Sequence, residues 1–133
     1  MAALTCIVCA GNATRVFFVD RDSRTYHRCS ACDATFLQPA HFPAAETEYA
    51  HYQTHENHVS DAGYRAYLSK VANPLLARLR PAASGLDYGC GPAAALAEML
   101  REAGHTMQVY DPFFASRRSV LAQTYDFVTC TET

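Results

Sequence analysis

Four cysteines constrain this chain more than any other feature. Cys6 and Cys9 form one C-x2-C pair, Cys29 and Cys32 a second, and nineteen residues separate the pairs. That spacing lies in the range of zinc sites. Zn2+ prefers four soft ligands in a tetrahedron, and two such turns close the shell with no open position for water. The zinc expected here is therefore structural rather than catalytic. Between the pairs, Thr14-Arg15-Val16-Phe17-Phe18-Val19 reads as a strand, Asp20-Arg21-Asp22-Ser23 as a turn, and Arg24-Thr25-Tyr26-His27-Arg28 as a returning strand. Thr35-Phe36-Leu37 adds a third strand. This is the layout of a zinc ribbon over residues 1–38. So few residues bury little apolar surface, and metal binding supplies the missing folding free energy. The spacing weighs against two disulfides or four unrelated thiols. The lack of a β-α-β pattern around either pair weighs against a redox C-x-x-C.

The whole chain has 133 residues, room for one ordinary domain or two small ones. Its net charge of −2 gives no global basic field for nucleic acid or an anionic membrane. No run approaches the ~18–20 apolar residues of a membrane span. The first residues lack the basic-then-apolar layout of a signal peptide, so the expected location is the cytoplasm. In that reducing setting thiols point to metal rather than disulfides. The ribbon carries four arginines against three aspartates, a balance of +1. Arg21, Arg24 and Arg28 form a candidate RNA patch, with a solvated strand face as the favoured alternative.

Residues 39–83 read as a helical connector. Pro39 and Pro43 mark its start, because two prolines in five residues will not continue a regular element. A helix is expected from about Ala44 to His55 and a second after Asp61 as N-cap. Tyr64, Tyr67, Leu68 and Val71 repeat at helical spacing and predict one apolar face. Pro74 either kinks this helix or opens a new one. His51, His55 and His58 would share a helical face, as a second metal site or a general base. A plain polar face is the favoured reading, since no partner for them can be named. Tyr49, Tyr52, Tyr64 and Tyr67 are either pocket or core.

The sharpest chemistry begins at Gly85. Leu86-Asp87-Tyr88 reads as a buried strand, Gly89-Cys90-Gly91-Pro92 as a tight turn, and Ala93 to Ala103 as a helix ended by Gly104. Thr106 to Tyr110 reads as a second strand, with Asp111 at its tip. Glycines let a ligand approach the backbone closely. A helix start offers N–H groups to an anionic group. A carboxylate twenty positions after Gly91 is placed to accept from ribose hydroxyls. Together these parts describe a site for a nucleoside-containing cofactor. Gly89 to Ala94 formally satisfies the dinucleotide pattern G-x-G-x-x-A. Asp87 argues against a pyrophosphate, which it would repel, and for a cofactor bearing an ammonium and a sulfonium.

Leu86-Asp87-Tyr88-Gly89-Cys90-Gly91 resembles motif I of class I S-adenosylmethionine-dependent methyltransferases. Val109-Tyr110-Asp111 resembles that family's second motif, and Tyr125-Asp126-Phe127-Val128-Thr129-Cys130 its fourth strand. The resemblance covers residues 84–133. The arrangement is similar to bacterial methyltransferases with an N-terminal zinc-binding module, among them some sugar C-methyltransferases and some ribosomal RNA methyltransferases. It implies an α+β chain: ribbon, helical connector, then the N-terminal part of a Rossmann-like α/β domain. It further implies that Asp87, Gly89, Cys90 and Gly91 line the methionine part of the cofactor and Asp111 the ribose. Cys90 then needs no redox role, and Cys130 is expected to be a buried strand residue.

Two departures from the family stand out. Ala93 replaces its third glycine, and only thirteen residues separate Asp111 from Tyr125, where the family places a further strand. The family sheet has more strands than the chain supplies, so a truncated product, or pairing with another chain across an open sheet edge, is expected. The expected activity is methyl transfer to a small-molecule acceptor, in the parent enzyme at least, with no membrane partner. His51, His55, His58 and Tyr64 are candidate bases, none singled out. The alternative is a zinc-ribbon module that binds RNA or protein and carries a degenerate methyltransferase remnant.

Overall fold

The computed structural model describes residues 4–54 and 57–131, and the chain divides into two compact units between Thr47 and Glu48. Helices and strands are mixed throughout, an α+β chain.

The first unit holds three antiparallel strands, β1 (Thr14–Val19), β2 (Thr25–Cys29) and β3 (Thr35–Leu37), in that order across the sheet. Thr14 pairs with Cys29 and Val19 with Thr25, with a bulge between Val16 and Phe18. The turn at Asp20–Arg24 closes on one carboxylate. Asp20 Oδ1 accepts from the backbone N–H of Asp22 and of Arg24, both at 2.9 Å. Ser23 takes a left-handed φ of 61° to complete it. Among the described residues the unit's buried apolar core is small, consisting of Cys6, Cys29 and Phe36.

In the second unit, α1 (Ala45–Gln53) begins before the division and continues past it. Helix α2 (Ala62–Leu76) starts where Asp61 caps it, Oδ1 accepting from Tyr64 N at 2.6 Å. It runs through Pro74 rather than restarting there. The buried stripe is Leu68 and Ala72, flanked by half-buried Tyr64, Leu75 and Leu76, while Tyr67 and Val71 are exposed. The face is thus rotated from the expected one, because the small Ala72 lets the packed helix α3 (Ala95–Glu102) come close. Helix α3 is shorter than the sequence suggests. Ala94 adopts a left-handed φ of 46°, which stops the helix extending back to Ala93. Its other end follows the C-cap expectation. Gly104 has φ 93°, its N–H donates to Arg101 O, and His105 N donates to Leu100 O.

The second sheet is parallel, with β4 (Ser84–Tyr88) between β5 (Thr106–Tyr110) and β6 (Phe127–Thr129). One face carries Met107, Val109 and Phe127 against α2 and α3. Gly85 is a packing requirement there. A Cβ on it would lie 2.3 Å from Phe127 Cζ and 2.7 Å from Met107 Sδ. The opposite face holds Leu86, Tyr110 and Val120, with Val120 supplied by the 3-10 turn Arg118–Ala122. That turn, not a further strand, fills the short interval after Asp111. At the N-terminal ends of β4 and β6, Arg80 bonds both oxygens of Asp126 at 2.8 Å, and Asp126 Oδ2 also accepts from Ser84 N at 2.8 Å. Strand β6 ends at Thr129. Thr129 is buried on the inward face, while Val128 and Cys130 are exposed. The expectation of a buried Cys130 fails, because it alternates onto the uncovered side. No helix among the described residues is long and apolar enough to cross a membrane.

Candidate functional site

The four N-terminal cysteines converge. Their sulfurs all lie within 4.8 Å of one another, with Cys6–Cys32 and Cys9–Cys29 each at 3.7 Å. A tetrahedral ion with bonds of about 2.3 Å to sulfur sets its ligands about 3.8 Å apart. A disulfide requires about 2.05 Å, and none of the six cysteines is bridged. The two turns are built alike. Cys6 N donates to Gly11 O and Cys29 N to Ala34 O. Val8 N donates to Cys6 Sγ and Ala31 N to Cys29 Sγ, both at 3.4 Å. Ala10 and Asp33, each just after its pair, have left-handed φ of 58° and 57°. These N–H groups favour thiolate. The Cys9 and Val8 backbone bonds bring Cys6 down to about 7 against opposing burial. At Cys32 the Ala34 backbone bond also lowers the pKa. Burial and the neighbouring sulfurs, Cys9 first among them, override it and push Cys32 up to about 12. Four cysteine sulfurs this close can ionise together only with a cation among them, and the donor set suits a soft divalent metal.

Two of the three arginines of the candidate RNA patch, Arg24 and Arg28, are engaged locally. Arg24 pairs with Asp20 at 2.7 Å and Asp22 at 3.1 Å. Arg28 pairs with Asp33 at 3.3 Å and lies over the Phe17 ring.

In the second unit, Asp87, Gly89, Cys90, Gly91 and Asp111 line one cavity of about 250 Å³. It sits at the C-terminal ends of the parallel strands. The chain leaves β4 for β5 on one side and later returns to β6 on the other, and ligands of open parallel sheets bind in the crevice at such a reversal. Gly89 and Gly91 have φ of 72° and 65°, left-handed conformations that favour glycine. A Cβ on Gly91 would meet nothing within 4 Å, so its backbone fronts open space. Gly89 N and Cys90 N both donate to Tyr110 O, at 2.7 and 3.2 Å. Gly91 N donates to Asp111 Oδ2 at 3.0 Å. The same carboxylate accepts from Phe113 N at 2.8 Å and Phe114 N at 3.1 Å. Three of its roughly four lone-pair positions are thus filled.

Asp87 is 3% exposed on the central strand. Burial pushes its carboxyl pKa up, opposed by a hydrogen bond from Thr129 and by the charge of Arg101. The Cys90 thiol is pushed up to about 11 by burial, then by the charges of Asp87 and Asp111, so it stays neutral and unreactive.

The walls include residues that the motif does not name: Glu48 and Tyr52 from α1, Asn57, Tyr64 and Leu68, Phe113 and Thr131. Tyr52 and Tyr64 therefore face the cavity. Tyr49 packs on Phe113 and Phe114, and Tyr67 lies under Lys70. Of the candidate bases, Tyr64 lines the cavity and His51 and His58 are not among its described walls. His55 lies outside the described residues. The non-glycine left-handed position after the loop is Ala94, while Ala93 borders the cavity.

A loop of glycines at the tips of parallel strands, beside a buried carboxylate, lines a cavity in an α/β unit. A family model described as a methyltransferase domain matches residues 58–133, and the chain belongs to that family. No curated protein matches the chain.

Proposed function

We propose that the second unit is a Rossmann-like domain that binds S-adenosylmethionine and methylates a small-molecule acceptor, and that the first unit is a zinc ribbon. The observation that carries the cofactor reading is Asp87, a buried carboxylate beside Gly89 and Gly91 in the cavity. A buried carboxylate is costly unless a cation meets it. The cofactor's ammonium supplies that cation, whereas a pyrophosphate would add repulsion. The bound cofactor supplies an electrophilic sulfonium methyl, open to in-line displacement by the acceptor. The chain's own part is positioning. The Gly89–Gly91 backbone admits the methionine portion, the remaining lone pair of Asp111 accepts from a ribose hydroxyl, and Tyr52, Tyr64 and Phe113 wall off water. Holding reactants in this way accounts for most of the acceleration such a displacement requires.

For the first unit, the 3.7 Å sulfur spacings fit zinc, with Cys6, Cys9, Cys29 and Cys32 as ligands. A second reading makes this unit a protein-binding module. Val16, Phe17, Phe18 and Val19 on the edge strand β1 are all more than half exposed, which favours a protein over RNA as partner. The engaged Arg24 and Arg28 weigh against RNA.

The test is transfer of an isotopically labelled methyl from S-adenosylmethionine into separated small-molecule, RNA and protein fractions. Label in the small molecules supports the proposal. Label confined to RNA or protein overturns the acceptor class, and label in none of them overturns the enzyme reading.

A further inference from the structure

Asp87 Oδ1 accepts a hydrogen bond of 2.7 Å from Thr129 Oγ1, and both residues are buried. They are register partners on adjacent parallel strands. A one-residue slip of β6 would replace Thr129 with Val128 or Cys130, neither suited to the carboxylate. Threonine is β-branched and stiff at χ1, so its hydroxyl is preset. Oδ2 of Asp87 has no hydrogen-bond partner among the described residues, and Asp87 borders the cavity.

We propose that Thr129 is a positioning residue: its hydroxyl donates to Oδ1 of Asp87, fixing the carboxylate and leaving Oδ2 to meet a cationic amino group in the cavity. This rests on the reading of Asp87 as the partner of the cofactor's ammonium. A hydroxyl can donate to the ionised carboxylate and so favours it, which valine cannot do. The other charged or titratable groups near Asp87 are Arg101 of α3, Cys90 of the loop and, at the cavity walls, Asp111, Glu48 and Tyr64.

The experiment uses the full, zinc-loaded chain with carboxyl-carbon-labelled aspartate, the Asp87 signal being assigned with Asp87→Asn. Its titration midpoint is followed without ligand, and S-adenosylhomocysteine affinity is measured in parallel. Thr129→Val is expected to raise the midpoint and weaken binding by on the order of tenfold. Thr129→Ser, which keeps the hydroxyl, is expected to restore both. Should the valine variant not fold, Thr129→Ala serves as the deletion. An unchanged midpoint in a folded deletion variant overturns the proposal. If the wild type binds no S-adenosylhomocysteine, the cofactor reading fails, while the midpoint shift still decides the role of Thr129.

Discussion

The backbone N–H of Gly91 donates to Oδ2 of Asp111 at 3.0 Å, and this bond joins the glycine loop after β4 to the tip of β5. The two residues are twenty positions apart in sequence. Asp111 thus has two roles. It fixes the loop, and under the proposed function its remaining lone pair would accept from the ligand.

Removing that carboxylate should therefore affect both fold and binding. Asp111→Ala is expected to destabilise the second unit by about 1–3 kcal/mol, the usual range for orphaned buried donors. It should also weaken S-adenosylhomocysteine by at least about tenfold. Thermal melts and calorimetry read the two effects separately. Unchanged affinity would mean that Asp111 only ties the loop.

Asp87 should behave in the opposite way. Burial raises its pKa, so its contribution is favourable below the unfolded value of about 3.9 and is lost as pH rises through the folded value. Above that window the ionised carboxylate opposes folding of the ligand-free chain. Asp87→Asn keeps an oxygen for Thr129 and is expected to melt higher than wild type at neutral pH, yet bind cofactor more weakly. A lower melting temperature at neutral pH would contradict the account.

Much of this was legible in the sequence. The cysteine pairs and the run Leu86–Gly91 carry their chemistry in local spacing, and the structure brings each set together. Thr129, Glu48 and Asn57 were not legible, because strand register and helix placement bring them to the cavity from 42, 39 and 30 positions away from Asp87. The Tyr64–Val71 face was misread by rotation, since an alanine at 72 gives little periodic signal although it is fully buried. Cys130 was misread because burial depends on what covers a strand, which spacing does not reveal.

Asp126 carries an acid dependence of its own. The side-chain bond to Arg80 comes first, then the Ser84 N–H, and together they hold its pKa down at about 2. A depressed carboxyl stabilises above the unfolded value of about 3.9, and this is lost as pH falls through about 2. The pair is largely exposed, so the effect is small. Wild type should melt above Asp126→Asn at neutral pH, and the gap should close between about pH 4 and 2. A gap that does not change with pH would place the effect elsewhere.

With zinc held by its four cysteines, as proposed, the first unit would depend on metal. Among the described residues its buried apolar core is Cys6, Cys29 and Phe36, too little to offset chain entropy. Freshly purified reduced protein should hold one zinc per chain. Chelation or Cys29→Ala should abolish the β1–β3 signals in NMR spectra. Absence of zinc, or strands that persist after chelation, would contradict the assignment.

The central claim is that the cavity beside Asp87 takes S-adenosylmethionine. Calorimetric titration of the zinc-loaded chain with S-adenosylhomocysteine, with NADH as the parallel control, tests it most directly. The account predicts saturable one-to-one binding of S-adenosylhomocysteine and none of NADH. Binding of NADH alone, or of neither, would contradict it.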